Sequence, residues 1–318
     1  MLLSRNKLTK IGNQLIFLTI KRNIMDLNIL LNCVKASIMP LSDDKHKGQA
    51  GRIGIIGGSL EYTGAPYFAG ISALKVGADL AHIFCTSSAA PVIKSFSPEL
   101  IVHPLLDHTC GVEEIVPWLD RIHVLVIGPG MGRDPNTFKV VSDIIKISRS
   151  KLIPLVIDAD GLFLITEKLD LIKDYPAPGV ILTPNKIEYE RLYAKIKCDK
   201  GGIDFNKLGD NITILKKGAI DEVYSSDKEL EWKSNGGGSN RRCGGQGDLL
   251  SGSIATLLHW CLSKEGNNPN LAATLACYGG SCLVRLCNEK SFKEKGRSML
   301  ASDMIEKIHS SFEELYES

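Results

Sequence analysis

The sequence predicts an α/β protein: a mostly parallel central sheet with helices on both faces, in three layers. Three observations carry this. Short runs nearly continuous in Val, Ile and Leu recur from residue 51 onward, as expected of strands buried on both faces. Stretches of helical periodicity separate them, the alternation that marks βαβ units. Almost every glycine cluster falls at the carboxyl end of such a run, where open α/β sheets bind their ligands.

In order, the strands are expected at 52–58 (RIGIIGG), 80–85 (LAHIFC), 124–130 (VLVIGPG), 154–160 (PLVIDAD), 179–185 (GVILTPN) and 211–218 (NITILKKG). Residues 219–226 follow so closely that they read as a further strand, with Asp221 at the bend. Helices are expected over 65–78, 135–147 and 187–195, then three in succession over 249–261, 271–288 and 299–316. No linker rich in Gly, Ser or Pro divides the chain after residue 51. Residues 46–318 therefore read as a single domain and 1–45 as an N-terminal extension.

Composition narrows the function classes. The 318 residues are 44% hydrophobic, 23% charged and 6% aromatic, the profile of an ordinary folded enzyme-sized chain. With 38 basic and 36 acidic residues the net charge is +2, without the basic stripe that nucleic acid would need. The apolar runs fall short of the roughly 18 residues of a membrane span. Nine cysteines without a CxxC pair suit a reducing compartment and free thiols. Before Met25 there is no carboxylate, whereas Arg5, Lys7, Lys10, Lys21 and Arg22 are basic. That pattern resembles a mitochondrial targeting segment, so a mitochondrial or cytoplasmic location is expected. A frayed tail, or a true start at Met25 or Met39, explains it equally.

Two glycine clusters concern chemistry. The first, Gly128-Pro-Gly130-Met-Gly132-Arg133-Asp134, invites a dinucleotide-binding reading with Asp158 as the ribose carboxylate. Its spacing disagrees: the third glycine comes one residue early, and Asp134 with Pro135 mark a later helix start. The second cluster, 236–248 (GGGSNRRCGGQGD), runs directly into a helix. Backbone N–H groups of Gly244, Gly245 and Gly247 can form an anion hole for a transferring phosphoryl group. Asp248, one residue beyond, can take a proton from an attacking hydroxyl, while Arg241 and Arg242 can neutralise phosphate oxygens. Asp248 could also simply complement the helix dipole. A third signal is Thr183-Pro184-Asn185-Lys186-Ile187-Glu188, whose spacing makes a capping box. Glu188 could alternatively hold water around Mg²⁺. Cys243 reads as a packing residue, the histidines show no metal-binding spacing, and Asp158 and Asp160 are assigned to loop structure before chemistry.

Together the GxGD and NxxE motifs resemble the ribokinase-like superfamily. The segments 47–85, 97–100 (SPEL), 128–134 (GPGMGRD), 157–162 (IDADGL), 183–192 (TPNKIEYERL) and 239–252 (SNRRCGGQGDLLSG) resemble, within it, the ATP-dependent NAD(P)H-hydrate dehydratases. The resemblance covers about 47–287 and departs at Met131, where leucine is expected. It implies a ribokinase-like fold and ATP-dependent dehydration of the S epimer of hydrated NADH or NADPH, with Mg²⁺. It places ATP against Lys217, Gly218, Ala219, Ile220 and Asp221, and against Gly238, Ser239, Asn240, Arg241, Arg242, Cys243, Gly244, Gly245, Gln246 and Gly247. The hydrated cofactor would lie against Gly130, Gly132, Asn185, Lys186, Ile187, Glu188, Tyr189, Glu190, Arg191 and Asp248, with residues 62–66 as a wall. Asp248 would be the base, Gly245 and Gly247 the anion hole, and Glu188 the residue that holds Mg²⁺ through water. The partners implied are small molecules, with a homo-oligomer compatible. Two alternatives stand beside this reading: a small-molecule kinase of the same superfamily, and a non-catalytic nucleotide-binding protein.

Overall fold

The computed structural model describes residues 26–199, 201–264 and 268–317. The basic segment before Met25, and any targeting role for it, lie outside these residues. Among them the strands are β1 (Arg52–Ile56), β2 (Leu80–Cys85), β3 (Leu100–Pro104), β4 (Val124–Ile127), β5 (Leu155–Ile157), β6 (Val180–Leu182), β7 (Ile212–Lys216), β8 (Glu222–Ser225) and β9 (Trp232–Lys233). They form one sheet in the order β3-β2-β1-β4-β5-β6-β7-β8-β9. All pairs from β3 to β7 are parallel, and β8 and β9 continue the sheet as an antiparallel meander.

The helices are α1 (Leu27–Ser37), α2 (Gly64–Val76), α3 (Ala90–Phe96), α4 (Gly111–Leu119), α5 (Pro135–Ser150), α6 (Ala159–Glu167), α7 (Lys186–Ile196), α8 (Gln246–Ser263), α9 (Pro269–Lys295), α10 (Ala301–Ile305) and α11 (Ile308–Phe312). The strands divide two cores. Ile53, Ile55, Val124 and Val126 face one core with α8 and α9. Ile56, Leu125 and Ile127 face the other, with Val141, Ile144 and Ile145 of α5. Burial on both faces explains why the strands read as continuous apolar runs.

Several elements differ from the sequence expectation. Strand β3 was not expected, because Ile101 and His103 alternate with buried Leu100 and Val102 in a short edge strand that ends in proline. Helices α3, α4 and α6 are only seven to nine residues long, too short for a clear period. The helix expected over 299–316 breaks at Glu306–Lys307 into α10 and α11, followed by one wide turn, Glu313–Glu317. Buried Ala301, Met304, Ile305, Ile308, Phe312 and Tyr316 keep helical spacing through the break, so the pattern hides it. Within the stretch set apart as an extension, α1 packs on α8 and α9, with Leu30 and Val34 fully buried.

Two features of the fold position the site. The strand order reverses between β1 and β4, which opens a crevice beyond their carboxyl ends. There Gly57 lies so close to the Pro129 carbonyl that a Cβ would strike it, and Gly58 N–H donates to the Pro129 and Gly130 carbonyls at 3.1 Å each. Helix α8 is buried along most of its length and crosses the sheet over β1, β4 and β5. A Cβ on Gly252 would strike the Ala69 carbonyl of α2, so this glycine lets two helix backbones meet. That contact fixes α8 one turn after Asp248.

Candidate functional site: an uncapped helix start at the crevice

Residues 234–245 lead without regular structure into α8. Gly245 is the residue before the helix, at φ +94°, and no side chain caps the first turn. The first backbone N–H groups of α8 are thus left for an external acceptor, and the helix dipole adds to their pull on an anion. A Cβ at Gly245 would come within 2.7 Å of the Ala301 Cβ and 2.8 Å of the Phe68 ring, so conformation and space both require glycine.

Asp248 stands in the first turn of α8. Burial pushes its carboxyl up to about 8, the Asp158 carboxylate adds to the rise, and the Lys217 ammonium opposes it. Lys217 itself is held above the ordinary lysine value. Burial pulls it down, but the charges of Asp158 and Glu188 outweigh that. Lys217 Nζ donates to Asp158 Oδ1 at 2.7 Å, and both side chains are largely withdrawn from solvent. The Lys217 N–H also donates to the Pro184 carbonyl at 2.8 Å, which joins the ends of β6 and β7. Asp158 was assigned to loop structure on the sequence; its carboxylate lies in this charge cluster.

The NxxE motif starts α7 with a complete capping box. Asn185 Oδ1 accepts from the N–H groups of Ile187 and Glu188 at 2.9 and 3.0 Å, and Glu188 Oε2 accepts from Asn185 N–H at 2.8 Å. The same carboxylate senses the cluster. Burial raises its pKa, the Lys217 ammonium works against this, and Asp158 adds to the rise. Structural and electrostatic readings of Glu188 therefore coexist. Lys186, Ile187, Glu190 and Arg191 are exposed on α7. Tyr189 turns to the sheet, stacked on Tyr224 at 5.7 Å with Lys216 Nζ 4.9 Å from its ring.

Across the crevice, Gly130 (φ +59°) passes Tyr62 so closely that a Cβ would lie 2.6 Å from its carbonyl oxygen. Gly132 N–H donates to Asp160 Oδ2 at 3.0 Å, while Arg133 Nε donates to Asp160 Oδ1 at 3.0 Å. Asp160, read as loop structure on the sequence, lies instead in the first turn of α6 and fixes the glycine turn from there.

Beyond α8 an open cleft is lined by Lys217, Gly218, Asp221, Gly238, Arg242, Gln246 and Gly247, all expected from sequence, and by Gly237, Leu250, Ser281, Val284, Arg285 and Asn288. Ala219, Ile220, Ser239, Asn240, Arg241, Cys243 and Gly244 belong to the same loops but do not line it. Asp221 is buried and occupied internally. It accepts from Gly218 N–H (2.9 Å), Ser281 Oγ (2.6 Å), and Arg285 Nε and Nη2 (3.0 and 2.7 Å). Arg285 also donates to the carbonyls of Gly218, Ala219 and Gly237. Asn288 Oδ1 accepts from Ser239 N–H at 2.6 Å. Ser281, Arg285 and Asn288, on one face of α9, therefore hold both the 217–221 and the 237–239 loops; sequence reasoning missed them. Their signal is three polar residues at i, i+4 and i+7 in a largely apolar helix.

A family model described as NAD(P)H-hydrate dehydratase matches residues 53–310. The ATP-dependent (S)-NAD(P)H-hydrate dehydratase of Aedes aegypti is 55% identical over 289 residues, covering 91% of this chain and 85% of the relative. The human protein of that name is 46% identical over 305 residues, 93% of this chain and 87% of its own. Among solved structures, a ribokinase-like superfamily protein from Enterococcus faecalis superposes with a TM-score of 0.71 at 20% identity, over 91% of this chain and 95% of that one. An ADP/ATP-dependent NAD(P)H-hydrate dehydratase from Bacillus subtilis, co-crystallised with ATP/Mg²⁺, gives 0.65 at 21% identity, over 90% and 97%. These two likenesses establish the ribokinase-like fold.

Proposed function

The chain belongs to the NAD(P)H-hydrate dehydratase family, and we infer that it dehydrates (S)-NAD(P)H hydrate at the expense of ATP, releasing NAD(P)H, ADP and phosphate. The observation that carries the site assignment is a carboxyl group, Asp248, set in the first turn of a helix whose start no side chain caps. Hydration leaves a hydroxyl on the carbon beside the ring nitrogen, and hydroxide is a poor leaving group. Asp248 takes the hydroxyl proton as the oxygen attacks the terminal phosphorus of ATP, and ADP departs. The amides that follow Gly245 and the Lys217 ammonium receive the negative charge of the transferring group. The nitrogen lone pair then expels phosphate with the C–O electrons, and loss of a proton from the adjacent carbon restores the ring.

Glu188 is the residue we assign to magnesium. Among the described residues no three His, Cys, Asp or Glu side chains stand together as a ligand set. A Mg²⁺ ion that keeps much of its water needs one carboxylate besides phosphate oxygens, and that of Glu188 stands in the field of Lys217 and Asp158. Such an ion would neutralise charge between the phosphates. Glu188→Gln is therefore expected to raise the Mg²⁺ concentration that gives half-maximal rate, without loss of fold, since glutamine also serves the capping box. An unchanged requirement would leave Glu188 with capping alone.

The decisive assay supplies ATP, Mg²⁺ and hydrated NADH. The near-ultraviolet absorbance of the reduced ring should return, with one ADP and one phosphate released per ring. A sugar or vitamin phosphate has no neighbouring nitrogen lone pair to expel it, so a kinase would stop at the ester. ADP formation with other alcohols but not with the hydrate would establish a kinase instead.

A further inference from the structure

Asp158 occupies the position just before α6, where an aspartate ordinarily caps the helix, yet its side chain makes no capping hydrogen bond. Its carboxylate is buried and turned to Lys217 Nζ, 2.7 Å away, which reaches it from the end of β7, two strands along the sheet. The next residue, Ala159, is held at φ +46°, a left-handed conformation that a residue with a Cβ adopts at a cost. Such strain gathers where a side chain is held for function. Both members of the ion pair abut the anion hole: a Cβ on Gly247 would lie 3.2 Å from Lys217 Nζ and 3.5 Å from Asp158 Oδ2.

We propose that Asp158 is a positioning residue for phosphoryl transfer, holding the Lys217 ammonium beside Gly247 where charge develops on the transferring group. This rests on the dehydratase reading above. Lysine is a flexible point charge with four rotatable methylenes, so its value to a transition state depends on what fixes its tip. Burial of a lone ammonium would also be costly, and the Asp158 carboxylate makes a buried lysine tolerable here. Because the carboxylate repels phosphate, its contribution belongs to orientation in the transition state and not to ground-state affinity for ATP.

The test compares wild type, Asp158→Asn, Lys217→Met and the double variant, all checked for a folded melting transition. Wild type must first restore the NADH absorbance from its hydrate. Failure there removes the dehydratase reading itself, whatever the variants do. Given a working wild type, Asp158→Asn is expected to lower kcat by about ten- to a hundredfold, the size of a misplacement effect, with KM for ATP unchanged or lower. In the Lys217→Met background the same change should lower kcat less than about twofold, because its route has been removed. An equal loss in both backgrounds, or a lower melting temperature with wild-type kcat, overturns the proposal. Should Asp158→Asn fail to fold, Asp158→Glu keeps the charge but shifts the ammonium by a methylene. It is expected to lose kcat at constant KM for ATP, and full activity in it would overturn the proposal equally.

Discussion

Asp248→Asn is expected to lower kcat by about 10²–10⁴-fold, the range of a positioned base, while ATP affinity stays within about threefold. The amide fills the same volume but cannot accept the hydroxyl proton. The pH dependence follows from the position of the carboxyl group, which is pushed up to about 8 by burial and by Asp158 against the pull of Lys217. A base works deprotonated, so kcat/KM of the wild type should rise with pH up to about 8 and level off above it. The stability effect has the opposite sign. From the ordinary carboxyl range up to about 8, the unfolded chain is deprotonated while the folded one keeps the proton, so wild-type stability falls as pH rises. Asp248→Asn carries no ionisable group there, and its melting temperature should exceed that of the wild type at pH 8 but not at pH 4. Pairing of lost rate with gained stability at pH 8 is what a base produces and a dipole-complementing carboxylate does not. A variant that kept more than about a tenth of kcat would remove Asp248 from the chemistry.

The part of the site that was legible in the sequence is the part made from neighbouring residues. Gly244, Gly245, Gly247 and Asp248 announce an uncapped helix start within five positions, and Asn185 with Glu188 announces a capping box, because both are local backbone events. The buried strands were equally plain, since burial on both faces removes polar residues from the run. What stayed hidden was long range. Arg285 meets Asp221 across 64 residues, and nothing within α9 says which loop its guanidinium will reach. Asp158 reads as loop structure at a strand end until the fold brings Lys217 to it across 59 residues. Tyr189 sits inside a motif yet turns to the sheet, because helical spacing and not motif membership decides which way a side chain points. The boundary at residue 45 failed to foresee α1 for a related reason: its apolar face finds its partners on α8 and α9, more than 200 residues later in the chain.

Gly245→Ala is expected to lower kcat by about 10²–10³-fold, comparable with the loss of an anion-hole donor. The backbone at position 245 sits at φ +94°, where a residue with a Cβ is strained by about 1–3 kcal/mol. The new methyl would also meet the Ala301 Cβ at 2.7 Å and the Phe68 ring at 2.8 and 2.9 Å. Ala301 belongs to the start of α10 and Phe68 to α2, both packed on the buried α8, so neither yields easily. The cheaper relaxation is rotation of the peptide units around 245, and that turns the first N–H groups of α8 away from the crevice. Asp248, three residues on, keeps its own carboxyl group but loses its register with the anion. Rate should therefore fall far more than thermal stability, with melting displaced by a few degrees and kcat by orders of magnitude. Gly244→Ala is the control: a Cβ there meets nothing within 4 Å, and the residue does not sit at positive φ. Activity close to wild type in Gly244→Ala, beside the loss in Gly245→Ala, would tie the effect to the geometry of the hole. Equal losses in both would mean that the loop tolerates no side chain anywhere, and the particular role given to the 245 turn would have to be withdrawn.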